Sequence, residues 1–283
     1  MTRLPAQTLH AHTCFVDGAD TPLAMAQAAA AAGLVSFGLS EHGFVPPEAA
    51  LSPGEEPCWL TEADTPRYLA AARAAQAAVA GRLAVYVGLE LDSYGFDACA
   101  VREQLDYCIG SVHLLPGEGG LFSVDASRET LLAAIRRCYG GDPLRLAARY
   151  YAEVAAFATR CRPDILGHID LITKFDEDGT LFSEAGRAYR RLALAAVDAA
   201  VEAGCLIEIN TGAIARGYRQ TPYPRRFLLE RVRARGGRIV LSSDAHSAAA
   251  VACGLADAAA LARSVGFTEY QRLTPEGFVP APL

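Results

Sequence analysis

Leu9-His10-Ala11-His12-Thr13, close to the N-terminus, is the stretch from which the fold can be read. In a strand, side chains at i and i+2 share a face, so both imidazoles can converge on one metal ion; on a helix the same spacing splays them apart. An isolated His-x-His is short and common, and two surface histidines on an N-terminal arm would explain it equally well. The other histidines decide the matter. The chain has six: His10, His12, His42, His113, His168 and His246. The last four each lie in or just after a short apolar run, at residues 35–42 (VSFGLSEH), 107–113 (YCIGSVH), 165–171 (ILGHIDL) and 239–246 (IVLSSDAH). None falls in the Ala- and Arg-rich segments between these runs. Histidines sorted in this way point to a metal site collected from many strand ends.

Working outward, residues 8–13 form the first expected strand, followed by a loop carrying Asp17. Thr21-Pro22 starts a helix to about Gly33, with Thr as N-cap and Pro in the first position. A strand over 35–40 leads into a long loop (43–60) holding four prolines and the only tryptophan, Trp59; a loop of that length is expected to act as a lid over a site. A helix over 61–80 precedes residues 83–91 (LAVYVGLEL), a nearly continuous apolar run of the kind expected in a strand buried on both faces. Its one charge, Glu90, must be paired or metal-bound, because an unpartnered buried carboxylate is costly. A short helix over 96–105, a strand over 107–113, a second long loop over 115–123 and helices over 128–138 and 143–160 follow. Next come a strand at 165–171, a helix at 183–203, a strand at 205–210, a helix from near Pro224, a strand at 238–242, helices over 247–265 and an irregular tail. Seven strand–helix units with apolar strands imply a parallel sheet covered by helices. Polar residues at the ends of several strands mark a barrel with its site on one face, whereas an open doubly wound sheet gathers ligands at one or two switch points. The expectation is a seven-stranded barrel occupying residues 1–283 as a single domain.

Composition sets the class. Hydrophobic residues make up 52% of 283, and the mean hydropathy is +0.16, enough for a large core. No apolar stretch approaches the roughly 20 residues of a membrane span, and residues 1–7 show no apolar leader, so a soluble cytoplasmic protein is expected. A formal charge of −6 argues against broad nucleic-acid binding. The eight cysteines show no zinc-ribbon or redox spacing and read as free thiols, with Cys14, just after the His-x-His pair, as a candidate pocket residue.

The strand-end residues His10, His12, Glu90 and Asp244, with His42, His113, His168, His246 and the loop residue Asp17, supply nine nitrogen and oxygen ligands and no thiolate. Such a set suits two or three divalent ions of zinc, manganese or iron. Closely spaced ions of this kind clamp the attacking and leaving oxygens of an in-line displacement. Phosphoester hydrolysis fits best, with amide hydrolysis on a barrel as the competitor. Arg216 and Arg219, in the loop after the sixth strand, are candidates to bind an oxyanion, and Lys174 has a weaker claim.

His10-Ala-His12, Ser40-Glu41-His42, Gly88-Leu-Glu90, Gly110-Ser-Val-His113, Gly167-His168-Ile-Asp170, Glu208-Ile-Asn210-Thr211 and Ser243-Asp244-Ala245-His246 together resemble the polymerase-and-histidinol-phosphatase (PHP) superfamily. The match runs in order along nearly the whole chain. Gly-Ser-Val-His, Gly-His-x-Asp-Leu with nearby Lys174-Phe175, Glu-Ile-Asn-Thr and Tyr223-Pro224 are similar to its stand-alone histidinol-phosphate phosphatases. The resemblance implies a distorted (β/α)7 barrel with a trinuclear centre at the C-terminal ends of the strands. His10, His12, Glu90 and Asp244 would hold one ion. Glu90 would bridge to a second on His113 and His168, with the third on Asp17, His42 and His246. It further implies a small-molecule phosphate substrate, L-histidinol phosphate, attacked by metal-activated hydroxide, with catalysis resting on Glu90, Asp244 and His246. Arg216, Arg219, Lys174 and Ser111 are the candidate substrate or phosphate contacts. Glu41, Asp125 and Tyr223 are candidates for a pocket that recognises the imidazole. Asp17 stands where the family often has histidine, and its harder oxygen shifts preference from zinc toward manganese or iron. The competing readings are a phosphoesterase for another small phosphate or for nucleic-acid ends, and a non-catalytic metal-binding scaffold. A scaffold would be expected to have lost ligands, and all nine positions are filled.

Overall fold

The computed structural model describes residues 6–283; most of the segment read for a leader lies outside the described residues. The elements in order are β1 (Gln7–Thr8), α1 (Pro22–Ala31), β2 (Ser36–His42), α2 (Asp64–Ala78), β3 (Ala84–Asp92), β4 (Tyr107–Ser111), β5 (Leu114–Gly117) and β6 (Gly120–Ser123). They continue with α3 (Arg128–Cys138), α4 (Pro143–Cys161), β7 (Ile165–Leu166), α5 (Arg187–Glu202), β8 (Leu206–Asn210), α6 (Gly212–Ala215) and α7 (Arg226–Ala234). β9 (Ile239–Ser242), α8 (Leu255–Ser264), β10 (Glu269–Thr274) and β11 (Gly277–Pro282) complete the chain.

β1, β2, β3, β4, β7, β8 and β9 form a parallel seven-stranded sheet in that order. A parallel bridge between Ala11 and Ala245 draws its two edges together, with His12 N donating to Ala245 O at 2.8 Å. The sheet is therefore a nearly closed, distorted (β/α)7 barrel, as its apolar strands alternating with helices predict. The two faces of each strand go to two different cores, as the period-2 alternation of strands requires. Val85, Val87, Leu89, Ile207, Ile209, Ile239 and Leu241 pack outward under the helices. Tyr107, Ile109, Ile165, Leu206 and Val240 make a small inner floor. Gly88 exists for that floor: a Cβ there would lie 2.7 Å from Tyr107 Cζ, so only glycine lets the ring cross the barrel. The Tyr107 hydroxyl donates to the carbonyl of Leu9.

Helix starts follow local chemistry. Thr21, Ser127 and Asp142 cap α1, α3 and α4 by accepting from backbone N–H groups, and Pro22 and Pro143 stand just inside two of them. Several expected boundaries move. Regular pairing of the first strand stops at Thr8 and returns only at Ala11, and the fifth ends at Leu166, because the chain peels away to deliver His10, His12 and His168. The expected helix over 96–105 is two short 3-10 turns, and α5 starts at Arg187 rather than Ser183. Residues 115–123, expected as a loop, contain most of the β5–β6 hairpin, and the expected irregular tail is the β10–β11 hairpin. Pro and Gly in both segments mask the strand signal, but their pairing is antiparallel and local. The tail hairpin closes the barrel floor, where Leu273 joins the inner cluster and exchanges two hydrogen bonds with the Gln7 side chain. No described helix is long and apolar enough to cross a membrane.

Candidate metal centre

All nine residues expected as ligands meet at the end of the barrel where the parallel strands finish. His10 and His12 enter from the segment after β1, His42 and Glu90 from the ends of β2 and β3, and His113 and His168 from just beyond β4 and β7. Asp244 and His246 follow β9, and Asp17 reaches in from the first loop. His10 Nε2 and His12 Nε2 lie 3.3 and 3.6 Å from Glu90 Oε2, and 3.7 and 3.1 Å from Asp244 Oδ1. Bonds of about 2.1 Å around a tetrahedral ion place its ligand atoms roughly 3.4 Å apart, so these spacings suit one small cation. The other oxygen of Glu90 faces His168 Nε2 at 2.8 Å and His113 Nε2 at 3.4 Å. Asp17 gathers the third group, with Oδ2 at 3.1 Å from His246 Nε2 and Oδ1 at 3.8 Å from His42 Nε2. His12 also stands within ligand range of that last group, which makes it larger than the expected Asp17, His42 and His246.

Three of the buried atoms at the centre, His10 Nε2, Glu90 Oε2 and Asp244 Oδ1, have no hydrogen-bond partner. Buried polar atoms are ordinarily satisfied, so three orphans facing one another fit a cation held between them. Charge says the same. Burial opposes a charged imidazole at His10, yet Glu208, Glu90 and Asp244 hold its pKa well above the usual histidine range. His12 is buried too, and the carboxylates of Asp244 and Glu41 beside it push it up to about 10. Burial likewise works against the carboxylates, but His10, His113 and His42 hold Glu90, and His10 and Arg216 hold Asp244, well below the ordinary values. His246 goes the other way, lowered by burial and by His12. The centre has an excess of negative charge for which protons on histidine, or metal ions, compensate.

A second layer of carboxylates stands behind the histidines, and only part of it was legible in the sequence. Glu208 Oε1 lies 2.7 Å from His10 Nδ1, while its Oε2 accepts from His168 N and from Asn210 Nδ2. Glu41 Oε1 lies 3.3 Å from His12 Nδ1, and its Oε2 accepts from the Thr13 amide and hydroxyl. Asp92 Oδ2 accepts from His113 N at 2.8 Å and stands 3.5 Å from its Nδ1. Such partners fix which ring nitrogen is left for the metal. The available signal was spacing: Glu90 and Asp92, like Glu208 and Asn210, are polar pairs at i and i+2 in otherwise apolar strands.

Asp244 completes the centre from an unusual backbone. Its φ is 46°, in the left-handed region that Asp tolerates better than most residues. Gly212 makes room for it, since a Cβ there would come 2.5 Å from Asp244 Oδ2.

A cavity of about 640 Å³ opens over the centre. The 43–60 loop lines one side through Leu51, Glu55, Glu56, Cys58 and Trp59, and it is pinned down by pairing of Leu51 with Leu121 of β6. Arg216 lies on the cavity wall, its guanidinium 3.1 Å from His246 Nε2 and 3.3 Å from Asp244 Oδ2. Arg219 is buried away from the wall, stacked 4.4 Å over Tyr223 and donating to the Thr173 hydroxyl. Lys174 lines the cavity but is committed to Asp125. Ser111 lies beneath the cavity, donating to Glu90 Oε1 at 2.6 Å. Of the residues considered for the imidazole pocket, Asp125 is on the wall, whereas Glu41 and Tyr223 are buried outside it. Cys14 is not on the wall either; the cysteine there is Cys58.

The PHP domain family matches residues 8–212. The chain is 33% identical over 271 residues to a probable histidinol-phosphatase of Deinococcus radiodurans, spanning 94% of this chain and 95% of that one. A probable histidinol-phosphatase of Schizosaccharomyces pombe is 32% identical over 146 residues, 51% of this chain and 46% of that relative. Among solved structures, the histidinol phosphate phosphatase of Lactococcus lactis, complexed with zinc, L-histidinol and phosphate, has the same fold. Its TM-score is 0.70 at 19% identity, covering 98% of this chain and 100% of that one.

Proposed function

The chain belongs to the PHP family, among the histidinol-phosphatases, and from that premise we propose that it hydrolyses L-histidinol phosphate to L-histidinol and inorganic phosphate. The observation that carries this reading is the convergence of nine candidate nitrogen and oxygen ligands, eight of which line one cavity together with Arg216. The residues present fit two or three divalent ions, drawn from zinc, manganese and iron. His10, His12, Glu90 and Asp244 would hold one, Glu90, His113 and His168 another, and Asp17, His42 and His246 the third. When bound, such ions lower the pKa of water to about 7 and neutralise charge on the transferring phosphoryl group.

The chain's own groups do the rest. Arg216 binds a phosphate oxygen by charge-assisted hydrogen bonds, and Asp244 holds its guanidinium in place for that contact. The water that attacks phosphorus gives up a proton, and the alkoxide of histidinol must take one up as its P–O bond breaks. Asp244 Oδ2, which accepts from Arg216 and from Asn210 Nδ2, is the group we assign to carrying that proton. Asp92, Glu41 and Glu208 orient His113, His12 and His10 throughout. On this reading the protein acts in histidine biosynthesis, in the cytoplasm.

Phosphate release from L-histidinol phosphate by manganese-reconstituted protein, beside a panel of other phosphomonoesters, tests the proposal. Preference for L-histidinol phosphate, lost in Glu90→Gln and His246→Ala, is the expected result. Equal turnover across the panel would discard the substrate and keep the chemistry. No turnover by protein that binds its ions would leave a metal-binding scaffold.

A further inference from the structure

Two sets of charges line the cavity. One holds the histidine centre and Arg216, suited to phosphate. The other is acidic: Glu55 and Glu56 come from the 43–60 loop and Asp125 from the connection between β6 and α3, with Lys174 as the counter-charge on that wall. Two of these carboxylates are tied to one residue. Ser123 N donates to Glu55 Oε2 at 3.2 Å, and Ser123 Oγ donates to Asp125 Oδ1 at 2.9 Å. Lys174 Nζ spends two of its three donors on Asp125, at 2.9 Å from both Oδ2 and the main-chain carbonyl, and sits 4.9 Å over the Tyr218 ring. It therefore serves to fix Asp125 and is poorly placed to reach for phosphate. Three carboxylates against one ammonium leave this wall negative. A carboxylate offers about four acceptor positions, and the bonds to Ser123 and Lys174 occupy two of those on Asp125.

A phosphomonoester with a neutral tail gains no charge pairing from an acidic wall and leaves its carboxylates uncompensated. An ester whose leaving group carries a cation matches both sets of charges at once, with Leu51, Trp59 and Leu114 for its carbon skeleton. We propose that Asp125, with Glu55 beside it, receives the cationic nitrogen of the leaving alcohol and so determines specificity for a zwitterionic monoester. This rests on reading the cavity as the L-histidinol phosphate site, and it names the residues that hold the non-reacting end. Burial works against charge on Asp125, but Lys174 and His113 keep its carboxyl below the ordinary range, so it is ready as an acceptor before substrate arrives.

The test uses full-length, metal-loaded protein and its Asp125→Asn and Glu55→Gln variants. Glu55 contacts Ser123 at the cavity edge, so Glu55→Gln keeps a folded protein in hand should Asp125→Asn fail to fold. Three quantities are read: L-histidinol binding by calorimetry, inhibition by inorganic phosphate, and the ratio of kcat/KM for L-histidinol phosphate to that for phenyl phosphate. The expected result is an L-histidinol affinity and a kcat/KM ratio lowered at least tenfold in Asp125→Asn and severalfold in Glu55→Gln, with phosphate inhibition shifted less than threefold. Ratios and L-histidinol affinities within twofold of the parent protein would overturn the proposal. O-phosphoethanolamine separates it from the reading beneath it. A parent protein that rejects L-histidinol phosphate yet prefers O-phosphoethanolamine to phenyl phosphate, and loses that preference in the variants, would discard the substrate and uphold the acidic wall. A parent protein that turns over L-histidinol phosphate and phenyl phosphate equally would overturn the wall.

Discussion

His10 Nδ1 and Glu208 Oε1 lie 2.7 Å apart, both fully buried, so the imidazole can present only Nε2 to the centre. Glu208→Gln removes the charge behind the ring while keeping an acceptor. Metal affinity is expected to fall 10- to 100-fold, the usual loss for a partner of a ligating histidine. Chelator competition measures it, and an unchanged affinity would show that His10 needs no such support.

Gly212→Ala drives a Cβ to within 2.5 Å of Asp244 Oδ2, and the carboxylate must swing out of line. Bound metal per chain should drop, and turnover should drop with it, while the far-ultraviolet spectrum stays that of the parent. Full metal content and full activity would mean that Asp244 has room the geometry does not show.

The two arginines should separate cleanly. Arg216→Ala is expected to lower kcat/KM by about 10²–10³, in the range of a lost transition-state donor, with little change in Tm. Arg219→Ala removes a buried guanidinium from Thr173 and Tyr223, and should destabilise by about 3 kcal/mol with KM nearly unchanged. Urea unfolding and steady-state kinetics on both variants give the comparison; a reversed pattern would exchange their roles.

Protons and metal ions compete for this centre, and the sign follows from the shifts. His12 rises on folding from 6.5 to about 10 in the metal-free chain. Its proton therefore adds stability that is full below about pH 6.5 and lost as pH rises toward 10. Glu90 and Asp244 are lowered, so their contribution is present above their unfolded values, near pH 4, and lost at more acid pH. Between pH 6 and 9 an ion must displace the histidine protons, more easily as pH rises. The gain in Tm on adding manganese should accordingly be larger at pH 8.5 than at pH 6. A gain that is flat or shrinks with pH would contradict the proton-filled centre.

Much of this protein is legible without a structure because much of it is local. Alternation of apolar runs with capped helices gives the barrel, since caps such as Thr21 and strand periodicity act over a few residues. The candidate ligands are legible because Glu90 and the histidines interrupt runs that are otherwise apolar. Other features depend on partners far away in sequence. Glu208 stands behind His10 across 198 residues, a relation set by parallel register and by closure at Ala11 and Ala245. Arg216 and Arg219 are alike as letters; the turn after α6 sends one to the cavity and the other onto the ring of Tyr223. Ser123 brings Glu55 onto the wall beside Asp125 only because the long loop pairs with the hairpin. The sequence by itself determined which elements form and which residues can bind metal. The tertiary structure alone decided which side chain stands behind which, because closing the barrel, and not any local propensity, sets those distances.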